Sequence, residues 1–279
     1  MKTYEEKKKF LHERAASLMK EDLVLAFSGG VDSSLLLKIF CEAAKPFRTT
    51  VYAVTVHTEL HPLKDIKIAR QVAKEAGAQH FVVYINELQE ADIRFNPKDR
   101  CYRCKTLLFG RLKEKAKELG ADTVAEGTNE DDLHVYRPGI RALQELGIIS
   151  PLAESGFTKA EVRKLAQEYG ISVANRPSTP CMATRFPYGT ELDCEKMRQV
   201  EEEEELLKTF GFYNVRIRVH DDTARIEVDE KDLPLLLKHR EKIVRRLKKS
   251  GYTYVTVDLE GFRSGSMDIQ DRHSDRHSR

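Results

Sequence analysis

Leu23-Val24-Leu25-Ala26-Phe27-Ser28-Gly29-Gly30-Val31-Asp32-Ser33-Ser34 is the stretch on which the fold turns. Its apolar first half predicts a buried strand over residues 23–27, and a helix starting at Asp32 or Ser33 runs on to residue 44. Ser28-Gly29-Gly30 fills the turn between them. Glycines at a strand-to-helix turn let the backbone approach a ligand closely. Successive N–H groups at the positive end of the helix then form a nest for an anion. The stretch therefore predicts a phosphate site made of Ser28, Gly29, Gly30, Asp32, Ser33 and Ser34. It lacks the lysine of G-x-x-x-x-G-K-[ST] and the spacing of G-x-G-x-x-G, so it is neither of those common phosphate motifs. The plain alternative is an ordinary turn before a capped helix.

Outward from this turn, residues 50–56, 80–85 and 122–125 read as further strands, and residues 64–76 and 102–119 as helices ending at Gly77 and Gly120. Strand and helix alternate, which implies an α/β fold with a doubly wound, mostly parallel sheet. Ligands of such sheets bind outside the carboxyl ends of the strands. Gly127, in Glu126-Gly127-Thr128-Asn129 after the fourth strand, is expected to share one pocket with the Ser-Gly-Gly turn. A further helix over residues 158–169 carries Thr158 and Glu161 as a capping box and is followed by Gly170. Residues 175–190 hold three prolines, a cysteine and two arginines without periodicity and read as an ordered functional loop.

From Asp193 the pattern changes. A charged helix over 193–210, strands over 214–220 and 224–228, a helix over 233–249 and a strand over 252–259 suggest a small α+β domain. The expected organisation is a first domain over 1–190, a second over 191–265, and a polar tail over 266–279 predicted to be disordered. The tail repeats Asp-Arg-His-Ser, whose two histidines four apart weigh little toward a metal site.

The 279 residues are 41% hydrophobic, enough for a sizeable core, and the net charge of +2 gives no global field toward nucleic acid. Arg240, Lys242, Arg245, Arg246, Lys248 and Lys249 cluster and read as a solvated helix face, with an anion-binding surface as the runner-up. No apolar run is long enough to span a bilayer, and residues 1–20 are charged and helical in pattern, so a cytoplasmic location is expected. There the five cysteines read as metal ligands or reactive thiols rather than disulfides.

Cys101-Tyr102-Arg103-Cys104-Lys105 sets two cysteines on one face at a helix start, with Arg100, Arg103 and Lys105 around them to favour thiolates. The motif alone is compatible with a redox pair, half a zinc site or half an iron–sulfur site. Cys181, in the loop before Arg185, is the expected third ligand. Three thiolates suit a cubane cluster with one iron left open, or a zinc with a water. Cys41 reads as a buried small hydrophobe, and Cys194 lies beside Glu191 and Glu195, which argues against a nucleophile.

The Ser-Gly-Gly-x-Asp-Ser pattern resembles the PP-loop of ATP pyrophosphatases. Taken with Cys101–Lys105 and Phe109, Tyr136-Arg137-Pro138-Gly139, Arg185-Phe186-Pro187-Tyr188-Gly189-Thr190, Val215-Arg216-Ile217-Arg218-Val219-His220, Ala224-Arg225-Ile226-Glu227 and Gly261-Phe262-Arg263-Ser264-Gly265, it resembles the LarE family over residues 5–265. The resemblance implies an ATP-dependent sulfur transferase in nickel-pincer nucleotide biosynthesis. It adenylates the carboxylates of a pyridinium dicarboxylate mononucleotide, releases pyrophosphate, and puts sulfur in place of an oxygen. Some members sacrifice a cysteine in the loop that here holds Cys181. Others carry three cysteines and a [4Fe–4S] cluster that presents a sulfide, the pattern matched by Cys101, Cys104 and Cys181. The implied cofactors are ATP, Mg²⁺ and the [4Fe–4S] cluster. The implied partners are a small-molecule nucleotide and a sulfide source, without nucleic acid or membrane, in a homo-oligomer.

Roles follow within that frame. Arg216 and Arg218 project from one strand face and suit the substrate phosphate, the plain alternative being a solvent-facing strand. Lys105 and Arg185 are expected to steady the carboxylates or the acyl-adenylate. Asp32 either positions Mg²⁺ or caps its helix. Glu204 and Glu227 are possible metal ligands, but a lone glutamate is more often solvated. A tRNA thiolase would share the PP-loop and the cysteines but needs a nucleic-acid surface. An ammonia-using ligase would need no cysteines, and a zinc-stabilised nucleotide-binding module would release no pyrophosphate.

Overall fold

Thr3 opens helix α1 (Tyr4–Leu18) with a capping box: Glu6 N donates to the Thr3 hydroxyl, and Thr3 N donates to the Glu6 carboxylate at 2.7 Å. The computed structural model describes residues 2–134, 138–263 and 265–267. After α1 come β1 (Leu23–Ala26), α2 (Val31–Ala44), β2 (Val51–His57), α3 (Leu63–Ala76), β3 (Gln79–Tyr84), α4 (Glu87–Glu90), α5 (Arg100–Glu118), β4 (Thr123–Ala125), α6 (Glu130–Leu133), α7 (Gly139–Glu145), α8 (Pro151–Glu154) and α9 (Lys159–Glu168). The four strands pair in parallel in the order β3-β2-β1-β4. This is the expected doubly wound sheet.

Side chains alternate across its strands, and both faces are covered. Leu23, Leu25, Val51 and Ala53 join a core with residues of α1, α2, α3 and α9. Val24, Val54 and Val124 join a second core with Phe109, Leu112 and Ala116 of α5 and Leu143 of α7. Burial on both faces is why β1 reads as an unbroken apolar run rather than an alternating one. The chain leaves β1 toward β2 and β3, then returns to β1's other side as β4. The carboxyl end of β1 is therefore the crevice where ligands of such sheets bind.

By their contacts, the chain up to Ile93 and Asp99–Ser178 form one unit, and Arg94–Lys98 with the chain from Thr179 onward form another. The loop 179–190, expected in the first domain, thus clusters with the second. Arg185 of this loop pairs with Glu204 and its Thr184 carbonyl accepts from Arg218, while Asn96, fully buried, ties 94–98 to the loop by donating to the carbonyls of Phe186 at 3.1 Å and Pro187 at 2.8 Å. The second unit contains a 3₁₀ turn (Met182–Arg185), α10 (Cys194–Lys208), β5 (Val215–His220), β6 (Thr223–Val228), α11 (Leu233–Lys238), α12 (Arg240–Lys249) and β7 (Tyr254–Val257). Its sheet has the order β5-β6-β7, with β5 and β6 antiparallel and β7 parallel to β6.

Three local differences from the sequence reading matter. Helix α5 starts two residues earlier than expected, so both cysteines of the motif lie inside it. The single helix expected over 233–249 is broken at His239, whose ring stacks on Phe210 at 4.8 Å. The short helices α4, α6, α7 and α8 have too few turns to show periodicity. Ile243 and Leu247 of α12 are buried while its six basic residues are exposed, the solvated face expected. Tyr136, Arg137, Ser264 and most of the tail, residues 268–279, lie outside the described residues. No helix among the described residues is long and apolar enough to cross a membrane.

Candidate active site

In the first unit the Ser-Gly-Gly turn joins the carboxyl end of β1 to α2. Gly29 has φ +68°, and a Cβ on it would stand 2.9 Å from both Cα and N of Ala69 in α3. Only glycine fits there. Gly30 is the N-cap of α2 and offers no side-chain cap to the first-turn N–H groups, an arrangement able to receive an anion. Ser28 and Ser33 shape the turn. Gly30 N donates to Ser28 Oγ at 3.2 Å, Ser28 N to Ser33 Oγ at 3.3 Å, and Ser33 Oγ to Gly30 O at 3.3 Å. Ser34 is buried, with its hydroxyl unpartnered among the described residues.

Asp32 does not cap α2. Its carboxylate accepts from Asn129 Nδ2 at 3.2 Å and forms an ion pair with Lys159. Gly127 fits against the same turn: a Cβ on it would lie 3.1 Å from Asp32 Cβ and from Ser33 N. The structure thus brings Gly127 to the Ser-Gly-Gly turn. Glu126, buried beside it, holds this loop by accepting from Thr128 N at 2.9 Å, from Thr128 Oγ1 at 2.8 Å and from Ser150 Oγ.

Asn129 belongs to the segment 127–129 expected to face the same pocket, and two further residues at the turn, Lys159 and Arg176, were missed by sequence reasoning. Arg176 pairs with Asp65 and donates to Gly29 O at 3.4 Å. Lys159 opens α9, and its N donates to Asp131 at 2.8 Å. A basic residue at a helix start, where the dipole disfavours it, was the available signal.

Cys101 is exposed and Cys104 half-buried, three residues apart at the start of α5, whose first turn carries no acid. That spacing puts both sulfurs on one helical face. Arg103 is largely committed elsewhere, pairing with Asp99 at 2.8 Å and Asp92 at 3.0 Å. Lys105 extends over the Phe109 ring at 5.0 Å. Cys41 is packed against the core of α2, where burial pushes its thiol up to about 11, so it behaves as a small hydrophobe. Cys101 and Cys104 belong to the first unit and Cys181 to the second. Among the described residues no three His, Cys, Asp or Glu side chains are grouped as a metal site. The donor chemistry of the helical pair fits two ligands of a thiolate cluster.

The second unit overturns the solvated readings. Arg216 and Arg218 are each only 4% exposed, Glu204 3% and Glu227 0%. Arg185, 1% exposed, grips Glu204 through Nε at 2.9 Å and Nη2 at 2.8 Å. Its Nη1 donates to the carbonyl of Pro180 at 3.1 Å, that of Cys181 at 3.3 Å, and the Thr184 hydroxyl at 3.0 Å. Arg185 is therefore built into the Cys181 loop as a brace.

Arg218 grips Glu227 at 2.9 Å and donates to Thr184 O at 2.8 Å. Glu227 also accepts from Arg225 at 3.1 Å and from Ser266 at 2.7 Å. Arg216 and Arg218 share one face of β5 with Glu227 and Arg225 of β6, their register partners. Buried guanidiniums here outnumber the buried carboxylates that face them. Burial, then Arg185 beside it, pushes the Arg216 guanidinium down to about 10. Such an excess of desolvated positive charge suits an anion.

Adjacent glutamates of α10 titrate in opposite directions. Glu204, faced by Arg185 and Arg216, stays below the usual carboxylate range although burial opposes this. Glu203, 1% exposed, is pushed above it by burial, with Gln199 Nε2 donating at 3.2 Å. A carboxyl raised on folding costs nothing below its unfolded value of 4.5 and costs stability as pH climbs through the folded value. Glu203→Gln is therefore expected to raise the melting temperature at pH 8 by about 2–4 °C. The gain should vanish below pH 4.5, and thermal melts across pH check it.

Comparison with known proteins now adds to this geometry. A family model described as a PP-loop domain matches residues 2–136. The chain is 38% identical over 245 residues to the pyridinium-3,5-bisthiocarboxylic acid mononucleotide synthase of Lactiplantibacillus plantarum, covering 88% of each protein. The chain belongs to the LarE family of PP-loop enzymes. An uncharacterized protein of Synechocystis is 37% identical over 88% of this chain and 91% of its own length. The tRNA-specific 2-thiouridylase MnmA of Rickettsia bellii is 28% identical over 56% of this chain and 52% of its own. As a LarE-family protein the chain is an ATP-dependent sulfurtransferase.

Proposed function

We propose that this LarE-family chain converts the carboxylates of a pyridinium dicarboxylate mononucleotide to thiocarboxylates, with ATP as activator, in nickel-pincer nucleotide biosynthesis. What supports the reading is that one unit carries a glycine turn with an uncapped helix start and the other a buried, cation-rich cluster at Arg216 and Arg218. The Lactiplantibacillus synthase aligns over 88% of the chain, the thiouridylase over 56%, which favours the small nucleotide over tRNA.

The turn's N–H groups and Ser28, Ser33 and Ser34 hold the ATP phosphates, and Lys159 adds a cation there. Mg²⁺, when bound at Asp32, offsets phosphate charge. Arg216 and Arg218 hold the substrate phosphate, and Lys105 steadies the carboxylate. Arg185 acts through the Cys181 loop as a positioning residue. A substrate carboxylate oxygen attacks the α-phosphorus, and pyrophosphate leaves. Sulfide then attacks the acyl carbon, the C–S bond forms, and AMP departs with the oxygen. A [4Fe–4S] cluster held by Cys101, Cys104 and Cys181 would supply that sulfide on its open iron. The active form is a homo-oligomer built through the second unit.

Anaerobic reconstitution with iron and sulfide tests the ligand assignment. The expected result is broad visible absorption that Cys101→Ala, Cys104→Ala and Cys181→Ala each abolish. Normal absorption in all three variants, or tetrahedral zinc without iron in the wild type, would overturn it.

A further inference from the structure

Strand β3 ends the sheet, pairing with β2 on one side and with no strand on the other among the described residues. Edge strands of monomeric proteins are usually blunted by charges, prolines or bulges. Gln79-His80-Phe81-Val82-Val83-Tyr84 carries none of these apart from its histidine, and Tyr84 is 65% exposed. Beside this edge lies an open cleft of about 580 Å³, lined by β3 residues and by Arg70 and Lys74 of α3.

Both cations are exposed, and neither makes an ion pair or hydrogen bond with a described residue. The nearest acid on α3, Glu75, is engaged by Ser172 at 2.7 Å and Gln71 at 3.0 Å. Burial, and then Arg70, keep His80 toward its neutral form, and its Nε2 meets Thr55 Oγ1 at 2.8 Å. The cleft's charge therefore comes from Arg70 and Lys74. Four residues apart on a helix, they are spaced by about 6 Å along the axis. Alternate residues of an extended chain are about 6.6 Å apart.

We propose that the free edge of β3 takes up an extended acidic segment of a partner protein as an added strand. Carboxylates at alternate positions meet Arg70 and Lys74, and an apolar side chain rests on Tyr84. The backbone edge supplies the affinity and the two cations the direction and specificity. The openness of the cleft favours a strand over an enclosed small molecule.

The probe is a fluorescein-labelled Glu-Val-Glu-Val-Glu-Val-Phe peptide, titrated by anisotropy against the full chain. Expected are saturable binding, weakening by at least about tenfold in Arg70→Glu/Lys74→Glu, and slowed amide exchange over 79–84. ATP-dependent pyrophosphate release should stay unchanged in that variant, which separates failure of the groove from failure of the enzymatic reading. The same peptide with proline at alternate positions should not bind. Equal binding to the double variant, binding of the proline peptide, displacement by inorganic pyrophosphate, or β3 protection by self-association without peptide would each overturn the proposal.

Discussion

Gly29→Ala is expected to cut ATP-dependent pyrophosphate release by about two orders of magnitude or more, the scale of losing preorganised phosphate donors. The new methyl would stand 2.9 Å from the backbone of Ala69, and the residue would have to hold φ +68°. Neither partner can yield cheaply, because α3 is fixed by Ala69, Val72 and Ala73 in the core. The turn must therefore move off its nest geometry. Gly30→Ala, where φ is negative and the nearest atom is the Ser28 hydroxyl at 3.2 Å, should lose much less. Initial rates of pyrophosphate release and nucleotide affinity for the two variants check the contrast. Equal activity of Gly29→Ala and wild type would remove the turn from the chemistry.

Breaking the Arg185–Glu204 pair is expected to have the second largest effect. Both side chains are almost wholly buried and joined at 2.8 Å and 2.9 Å. Removing one partner leaves a charge in the interior, at a cost of about 3–5 kcal/mol. Glu204→Gln also weakens the bond from Ile217 N, 2.9 Å away, which ties α10 to β5. Replacing both by apolar residues, as in Arg185→Met/Glu204→Leu, should recover much of the stability. It should not recover activity, because the carbonyls of Pro180 and Cys181 lose the guanidinium that holds them. Chemical denaturation gives the first quantity and pyrophosphate release the second. Full activity in the double variant would show that the brace on the Cys181 loop is dispensable.

Much of this was legible in the chain. The apolar run at Leu23–Ala26, the glycines after it and the β-branched Val51–His57 fixed a parallel sheet, since a strand buried on both faces needs no alternation. The Ser-Gly-Gly turn between β1 and α2 was legible because its residues are contiguous. Long-range partners were not. Lys159 meets Asp32 across 127 residues, and Arg176 meets Gly29 across 147. No local pattern encodes such contacts. The burial of Glu204 and Glu227, expected to be solvated, was illegible for a related reason. Val-Arg-Ile-Arg-Val alternates as a half-solvated strand would, and only the fold reveals that Arg218 pairs inside with Glu227 and that Arg216 is buried near Glu204. Cysteine spacing within α5 was legible, whereas membership of Cys181 in a different unit was not.

Catalytic and sacrificial sulfur transfer differ in the fate of Cys181. Incubating the reconstituted enzyme anaerobically with excess substrate, ATP and sulfide, then weighing both nucleotide and protein by mass spectrometry, addresses it directly. The account predicts thiocarboxylated nucleotide in molar excess over enzyme, one AMP per sulfur installed, and an intact Cys181. Product that stops at one sulfur per chain, with dehydroalanine at residue 181, would contradict it.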